Sequence, residues 1–268
     1  MVFVLFFLGF TFGGDFVFFK RTTLDEIIPH MERARVIYLG EVHDSEEAHR
    51  LQLEVIRTLV SRGHRILIAM EMFQQQFQEY LDDYVDGVID EEEMLELTEY
   101  RKRWRFDPEL YAPIWRFARD NRIRIFALNI PSELVREVKE KGIENVKSGY
   151  LPPRIIPASE EYREFLREAM KKHKGVDEKS FIDVQLAWDN GMAYRIAKLL
   201  VANPDHKIVV LVGSGHVWRG YGIPERVNHF LGEIPQAVLY VDGDEAYFLF
   251  SKDFSKETSS ENSMREPN

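Results

Sequence analysis

Four apolar runs recur along the chain: RVIYLG at 35–40, RILIAM at 65–70, IRIFAL at 123–128 and KIVVLVG at 207–213. None alternates with polar residues as a half-exposed strand would. Continuous apolar runs of this length, rich in β-branched residues, predict strands buried on both faces. Helical patterns lie between them. Thr23 with Glu26 three residues on forms a capping box at the start of TTLDEIIPH. Asp44 or Ser45 caps a helix running to about Val60, with Glu46 and Glu47 in its first turn, where acids suit the helix dipole. SELVREVKEKG ends a further helix at Gly142, residues 159–173 read as helical, and Ser180 with Asp183 caps a helix over 181–201. Residues 74–120 read as helical throughout. GYLPPRIIP at 149–157 is irregular, because its prolines lack the donor that regular structure needs. AVLYV and AYFLF form a hairpin across DGDE.

Strands alternating with helices predict an α/β fold: a mostly parallel central sheet flanked by helices. The C-terminal hairpin adds antiparallel edge strands. The segments at about 74–120 and 145–175 exceed a simple crossover and are expected as helical cap insertions. The expected organisation is an apolar N-terminal segment at 1–20, one domain over 21–250, and a polar, disordered tail at 251–268. No repeat of fixed period is present.

Composition narrows the classes. The 268 residues are 45% hydrophobic and 13% aromatic, enough for a sizeable core. The net charge of −10 argues against nucleic acid as a partner, since that affinity rests on Lys and Arg at phosphates. Cysteine is absent, which removes disulfides, thiolate metal sites, Cys nucleophiles and a lipidated cysteine, and leaves the compartment open. MVFVLFFLGFTFGG at 1–14 has the length of a signal-peptide apolar region but no Lys or Arg before it. It is too short for an ordinary membrane span. A signal or membrane anchor, a mis-assigned start and a buried edge strand are the readings. The first favours an exported, periplasmic or membrane-associated protein over a cytoplasmic one.

Sites in an open parallel sheet form beyond the carboxyl ends of the strands. Gly40, Glu41, His43 and Asp44 follow the first run, Glu71 the second, Asn129 the third, and Gly213, Ser214, Gly215 and His216 the fourth. Acids and imidazoles far apart in the chain are thus expected at one place. His43, Glu71 and His216 form a ligand set for Mn, Zn or Fe. Glu41, His43, Glu71 and His216 would equally serve acid–base catalysis without metal. A single histidine after a strand is more often a structural hydrogen-bonder, and the chain has eight. His30, His49, His64, His173, His206 and His229 are read as solvated. Burying Glu71 after ILIAM costs several kcal/mol unless it is paired (~2–7 for a polar group).

Gln185, Trp188, Asp189 and Met192 share one helix face. Asp189 could orient a histidine, with Gln185 and Asn129 as further supporting groups, or the face is simply the polar rim of the core. RKRWR at 101–105 would grip an anion such as a carboxylate or propionate, or form a solvated face. Trp218, Arg219 and Tyr221 in HVWRGYGIP offer a flat wall beside His216, and with Trp188 they are the candidate cofactor-binding residues.

VIYLGEVHDSEEAHRLQLEVI, AMEMF, NIPSELVREV, QLAWDNGMA and GSGHVWRGYGIPERV, in this order over residues 21–242, resemble the ChaN family of haem-binding proteins. That family lies in a wider group with the Tiki metalloproteases and the erythromycin-esterase-like enzymes. The resemblance implies an α/β fold with its site at the strand ends. Gly40–His43, Glu71 and Gly213–His216 match the positions that carry metal binding or acid–base catalysis in the wider group. It also implies haem as cofactor, a role in iron uptake, and a homodimer holding haems face to face. Tyr111, Tyr150 and Tyr221 are candidate iron ligands beside the histidines. The chain lacks the lipid-modified cysteine of the lipoprotein members.

Overall fold

The computed structural model describes residues 16–20, 24–171, 175–242 and 245–251. Thr23, His173 and the tail beyond residue 251 lie outside the described residues.

The strands are β1 (Phe16–Lys20), β2 (Val36–Glu41), β3 (Ile66–Gln74), β4 (Ile125–Asn129), β5 (Lys207–Gly213), β6 (Gln236–Asp242) and β7 (Glu245–Ser251). They form one sheet in the order β1-β7-β6-β2-β5-β3-β4. The ladders from β6 through β4 are parallel, and β7 pairs antiparallel with both β6 and β1. The expected mostly parallel α/β sheet with its C-terminal hairpin is therefore present. β1 lies outside β7, so the sheet takes in residues ahead of position 21.

Period-two alternation inside the continuous apolar runs sorts side chains between two layers. Ile37, Leu39, Ile68, Met70, Val209 and Leu211 face a core shared with α1 (Leu24–Arg33), α2 (Glu46–Ser61), α3 (Gln78–Asp86), α4 (Glu91–Leu97), α5 (Tyr100–Arg103) and α6 (Ala112–Asp120). Val36, Tyr38, Ala69, Val210 and Val212 face the other way, against α9 (Glu178–Ala202) and α10 (Ile223–Leu231). A third cluster joins α7 (Ser132–Lys141) and α8 (Glu160–Met170) to the first half of α9 and forms a cap.

Several boundaries differ from the expected ones, each for a local reason. The stretch 74–120 is not one helical run. β3 continues to Gln74, Gly87 ends α3 in the left-handed conformation (φ 76), and Asp90 with Glu93 opens α4 by a capping box. α9 starts at Glu178, earlier than Ser180 would place it. Asp177 caps it by accepting from the Ser180 N–H, while Asp183 accepts from Lys179 Nζ at 2.7 Å. Ser45 caps α2 as expected, its side chain accepting from the Ala48 N–H.

Gly40 sits where three elements converge. A Cβ there would lie 2.7 Å from Tyr240 Cβ, 3.0 Å from Val217 Cγ2 and 3.2 Å from Ser214 Cα. Neither the β6 backbone nor the turn after β5 can yield cheaply. Gly40→Ala should destabilise the protein by about 1–3 kcal/mol through overpacking. Urea unfolding of both proteins checks this, with a lower midpoint at unchanged m-value expected.

Candidate functional site

Strand parity decides where each acid goes. Glu41 continues the Ile37–Leu39 face, so its carboxylate enters the α2–α6 layer. It is wholly buried there and fully engaged. Tyr111 Oη donates to Oε1 at 2.5 Å, and Gln52 Nε2 donates to Oε2 at 2.7 Å. His43 Nδ1 lies 3.0 Å from Oε1, and His49 Nδ1 lies 3.5 Å from Oε2.

Glu71 continues the Ala69 face, toward α9. Here β3 leaves its ladder: Met70 pairs with Ala127, yet Gln74 pairs with Asn129, so residues 71–73 bulge against a single β4 residue. The bulge swings Glu71 across the end of β5. Its Oε2 accepts the Gly213 N–H at 2.7 Å, and its Oε1 lies 3.5 Å from His216 Nε2.

His216 is held from behind by the wholly buried Asp189. His216 Nδ1 lies 2.7 Å from Asp189 Oδ1, and Tyr162 Oη donates to Oδ2 at 2.8 Å. The Tyr162 ring lies beneath the buried Arg226 guanidinium. Gly213 is the meeting point of the two halves. A Cβ there would lie 3.0 Å from His43 Cε1, 3.2 Å from His43 Nε2 and 3.6 Å from Glu71 Oε2. The result is two imidazoles, each with Nδ1 against a buried carboxylate, on either side of Glu71.

The electrostatics follow. Burial disfavours a charged His43 ring and the nearby His216 opposes it, but the Glu41 hydrogen bond and the charge of Glu71 outweigh both and raise its pKa. Burial opposes charge at His216 too; the charge of Glu71, then the hydrogen bond and charge of Asp189, lift it to about 9. Burial and the charge of Glu41 push the Tyr111 hydroxyl up, so it stays a protonated donor.

Glu41, His43, Glu71, His216 and Asp189 are thus brought together. Trp188 adjoins them, edge-on to His216 with centroids 6.0 Å apart. Other expected members go elsewhere. Asn129 is buried with Oδ1 unpartnered, so that atom makes no hydrogen bond to the cluster. Gln185 is half-buried and makes no hydrogen bond to the cluster. Trp218 stacks on Phe165 at 4.2 Å and Tyr221 on Tyr162 at 6.0 Å, so both pack into the cap rather than forming a wall against His216. Arg219 lies over the Trp218 ring. The metal set is not realised: among the described residues no group of three acids or histidines is arranged to hold an ion. Both ring nitrogens of His216 and Nδ1 of His43 already face carboxylates.

His49 is not solvated. It is buried against Tyr111, with Nε2 3.1 Å from the His43 carbonyl and Nδ1 3.2 Å from Gln52 Oε1. Helical spacing contained that signal, since His49, Gln52, Leu53 and Ile56 recur on one face. Three of the four cations of RKRWR are tied up with acids: Arg101 with Glu92, Lys102 with Glu99, and Arg103 with Glu99 and Glu133, while Arg105 Nε donates to the Lys102 carbonyl at 3.5 Å. Trp104 instead meets His43 edge-on at 4.6 Å, and Phe106 adjoins the same ring at 5.0 Å. The aromatic wall therefore stands at His43.

A histidine whose folded pKa is raised stabilises the fold fully below its unfolded value, and loses that effect as pH rises through the folded value. His216 should therefore make the protein less stable between about pH 6.5 and pH 9, by up to about 3 kcal/mol. Urea midpoints measured across that range should fall, and His216→Asn should flatten the slope. An equally steep fall in the variant would remove His216 as its cause.

Comparison with known proteins agrees with the fold. A solved structure reporting cofacial haem binding to ChaN of Campylobacter jejuni superposes with a TM-score of 0.63 at 20% identity, covering 88% of this chain and 97% of that one. The RRSP effector domain of a Vibrio vulnificus MARTX toxin gives a TM-score of 0.51 at 17% identity, over 88% of this chain and 39% of that one. Protein RETICULATA-RELATED 5, chloroplastic, of Arabidopsis thaliana is 25% identical over 241 residues, 80% of this chain. The chain spans 32% of that protein's length. Residues 27–227 match the family described as haem-binding uptake, Tiki superfamily, ChaN, and the chain belongs to that family.

Proposed function

We propose that this protein binds haem on the aromatic face over His43, as part of iron handling. One observation carries the reading. The His43 side chain is 29% exposed, against 12% for His216, and its ring packs against the adjoining Trp104 and Phe106 while Nδ1 is fixed on buried Glu41. Bound haem would supply the iron. The chain would supply His43 as ligand, Glu41 to orient it and keep it basic, and flat apolar walls for the porphyrin. Val42, 52% exposed beside His43, extends the apolar rim. The tyrosines fit less well as ligands. Tyr111 is buried and committed to Glu41, and burial, with the charges of Glu161 and Glu225, raises the Tyr221 hydroxyl above its ordinary range.

Titration with haemin should give a shifted, saturable Soret band. His43→Ala should weaken binding by about tenfold or more, while Tyr221→Phe should not. A flat titration of the parent protein would sink the reading.

A hydrolytic reading is favoured by a separate observation, the placement of Glu71 between two carboxylate-buttressed imidazoles. A neutral His43 would take a proton from water while a protonated His216 stabilised the developing oxyanion. Activity on aryl esters would then rise with pH as His43 loses its proton and fall near about 9 as His216 does. Equal rates in the parent, His43→Ala and His216→Ala would count against it.

A further inference from the structure

The aromatic wall at His43 is carried by very little chain. Trp104 follows α5, a single turn of four residues. One turn is too short to stand on its own hydrogen bonds. Its flanks are strained: Glu99 before it (φ 51) and Arg105 after Trp104 (φ 72) hold the left-handed conformation without being glycines. Such residues persist only where surrounding contacts over-determine them. At the start of the turn that contact is Tyr100, buried against Phe73 and Trp115. At its end, beside Trp104, it is Arg103.

Arg103 is drawn inward, its side chain 12% exposed against 53% for Arg101 and 73% for Lys102. Nη1 and Nη2 donate to the two Glu133 carboxylate oxygens at 3.0 and 2.9 Å, a bidentate pair. Nη1 also donates to Gln74 Oε1 at 2.8 Å, and Nε to Glu99 Oε2 at 2.6 Å. Gln74 is buried and fixed on the start of α7: its Oε1 accepts the Ser132 N–H at 3.1 Å, and its Nε2 donates to Ser132 Oγ at 2.6 Å. Arg103 therefore ties the turn to two rigid pieces, the first turn of α7 and the end of β3, the strand that carries Glu71. The Arg103 hydrogen bond holds the Glu133 carboxyl down at about 2, so the clamp stays ionised wherever His43 titrates.

We propose that Arg103 is a positioning residue for the His43 site: through its clamp on Glu133 and Gln74 it holds Trp104 against the His43 ring, 4.6 Å between centroids. Its bearing on haem rests on the haem reading, in which Trp104 walls the porphyrin; its bearing on His43 does not. Lysine is no substitute, because an ammonium lacks the planar fork that serves a carboxylate and an amide at once. Arg101 is the contrast. It makes a bidentate pair from the same turn, both bonds to Glu92 at 2.8 Å, but the two side chains are 53% and 71% exposed, and exposed pairs hold little.

The test is the ring-current shift that Trp104 imposes on the His43 ring protons, read by NMR on the full chain without haemin, followed by haemin titration. Arg103→Gln and Glu133→Gln should move those protons toward their positions in Trp104→Leu, and haemin should bind about tenfold more weakly. Arg103→Lys should behave like Arg103→Gln, and Arg101→Gln like the parent. Glu133 is 57% exposed, so Glu133→Gln keeps the test open should Arg103→Gln fail to fold. Unchanged His43 protons in both Gln variants would overturn the proposal, whatever the haemin affinity. An equal change in Arg101→Gln would assign the effect to the turn as a whole and overturn it too. A flat haemin titration of the parent, with the His43 protons displaced in the variants, would sink the haem reading and uphold Arg103 at His43.

Discussion

The reach of Glu71 across the end of β5 holds the site together. A buried carboxylate is costly unless its charge is met, and Glu71 is met by the Gly213 N–H and by two imidazoles. That requirement explains features far apart in the chain. β3 must bulge after Met70 to free residue 71, and position 213 must lack a side chain so that His43 and Glu71 can approach it. Remove the acid, and two raised histidines would face one another with no counter-charge between them.

The two histidines are supported from different layers of the fold. His43 is backed by the α2–α6 layer through Glu41, Gln52 and Tyr111. His216 is backed by α9 and the cap through Asp189 and Tyr162, with Arg226 beneath. Arg226 also donates to the carbonyls of Ile156 and Pro157, and Asn190 bonds both the N–H and the carbonyl of Ile156. The proline-rich segment is thus fastened to the helix that carries Asp189. One imidazole is set by the sheet and its near face, the other by the cap, and they meet at the strand ends. The same cap absorbs Trp218 and Tyr221, which leaves Trp104 and Phe106 to wall the more exposed ring.

Much of this was legible in the residues. Buried strands announce themselves by continuous apolar runs, and the rule that sites lie beyond their carboxyl ends locates Glu41, His43, Glu71 and His216 without further help. Helical spacing likewise reaches Asp189. Residue type alone carries less. Most histidines are solvated, but the spacing of His49 with Gln52 and Leu53 turns it inward. RKRWR is largely the solvated face that offsets the acidic stretch before it, and its tryptophan is the part that meets the site. Strand-end position alone does not join Asn129 to the cluster. The bulge in β3 displaces the pairing there, and no local signal in EMFQQ marks it. Aromatic stacking in the cap depends on long-range packing of α8 against the turn after β5, which the local pattern of HVWRGYGIP does not encode.

Glu71 is the one carboxylate that raises both imidazoles, beside Glu41 at His43 and Asp189 at His216. Side-chain NMR titration of His216 and His43 in the parent protein and in Glu71→Gln tests it most directly. A His216 pKa of about 9 is expected in the parent. It should fall by about one unit or more in the variant, with His43 moving the same way. Unchanged titration of both rings in Glu71→Gln would contradict it.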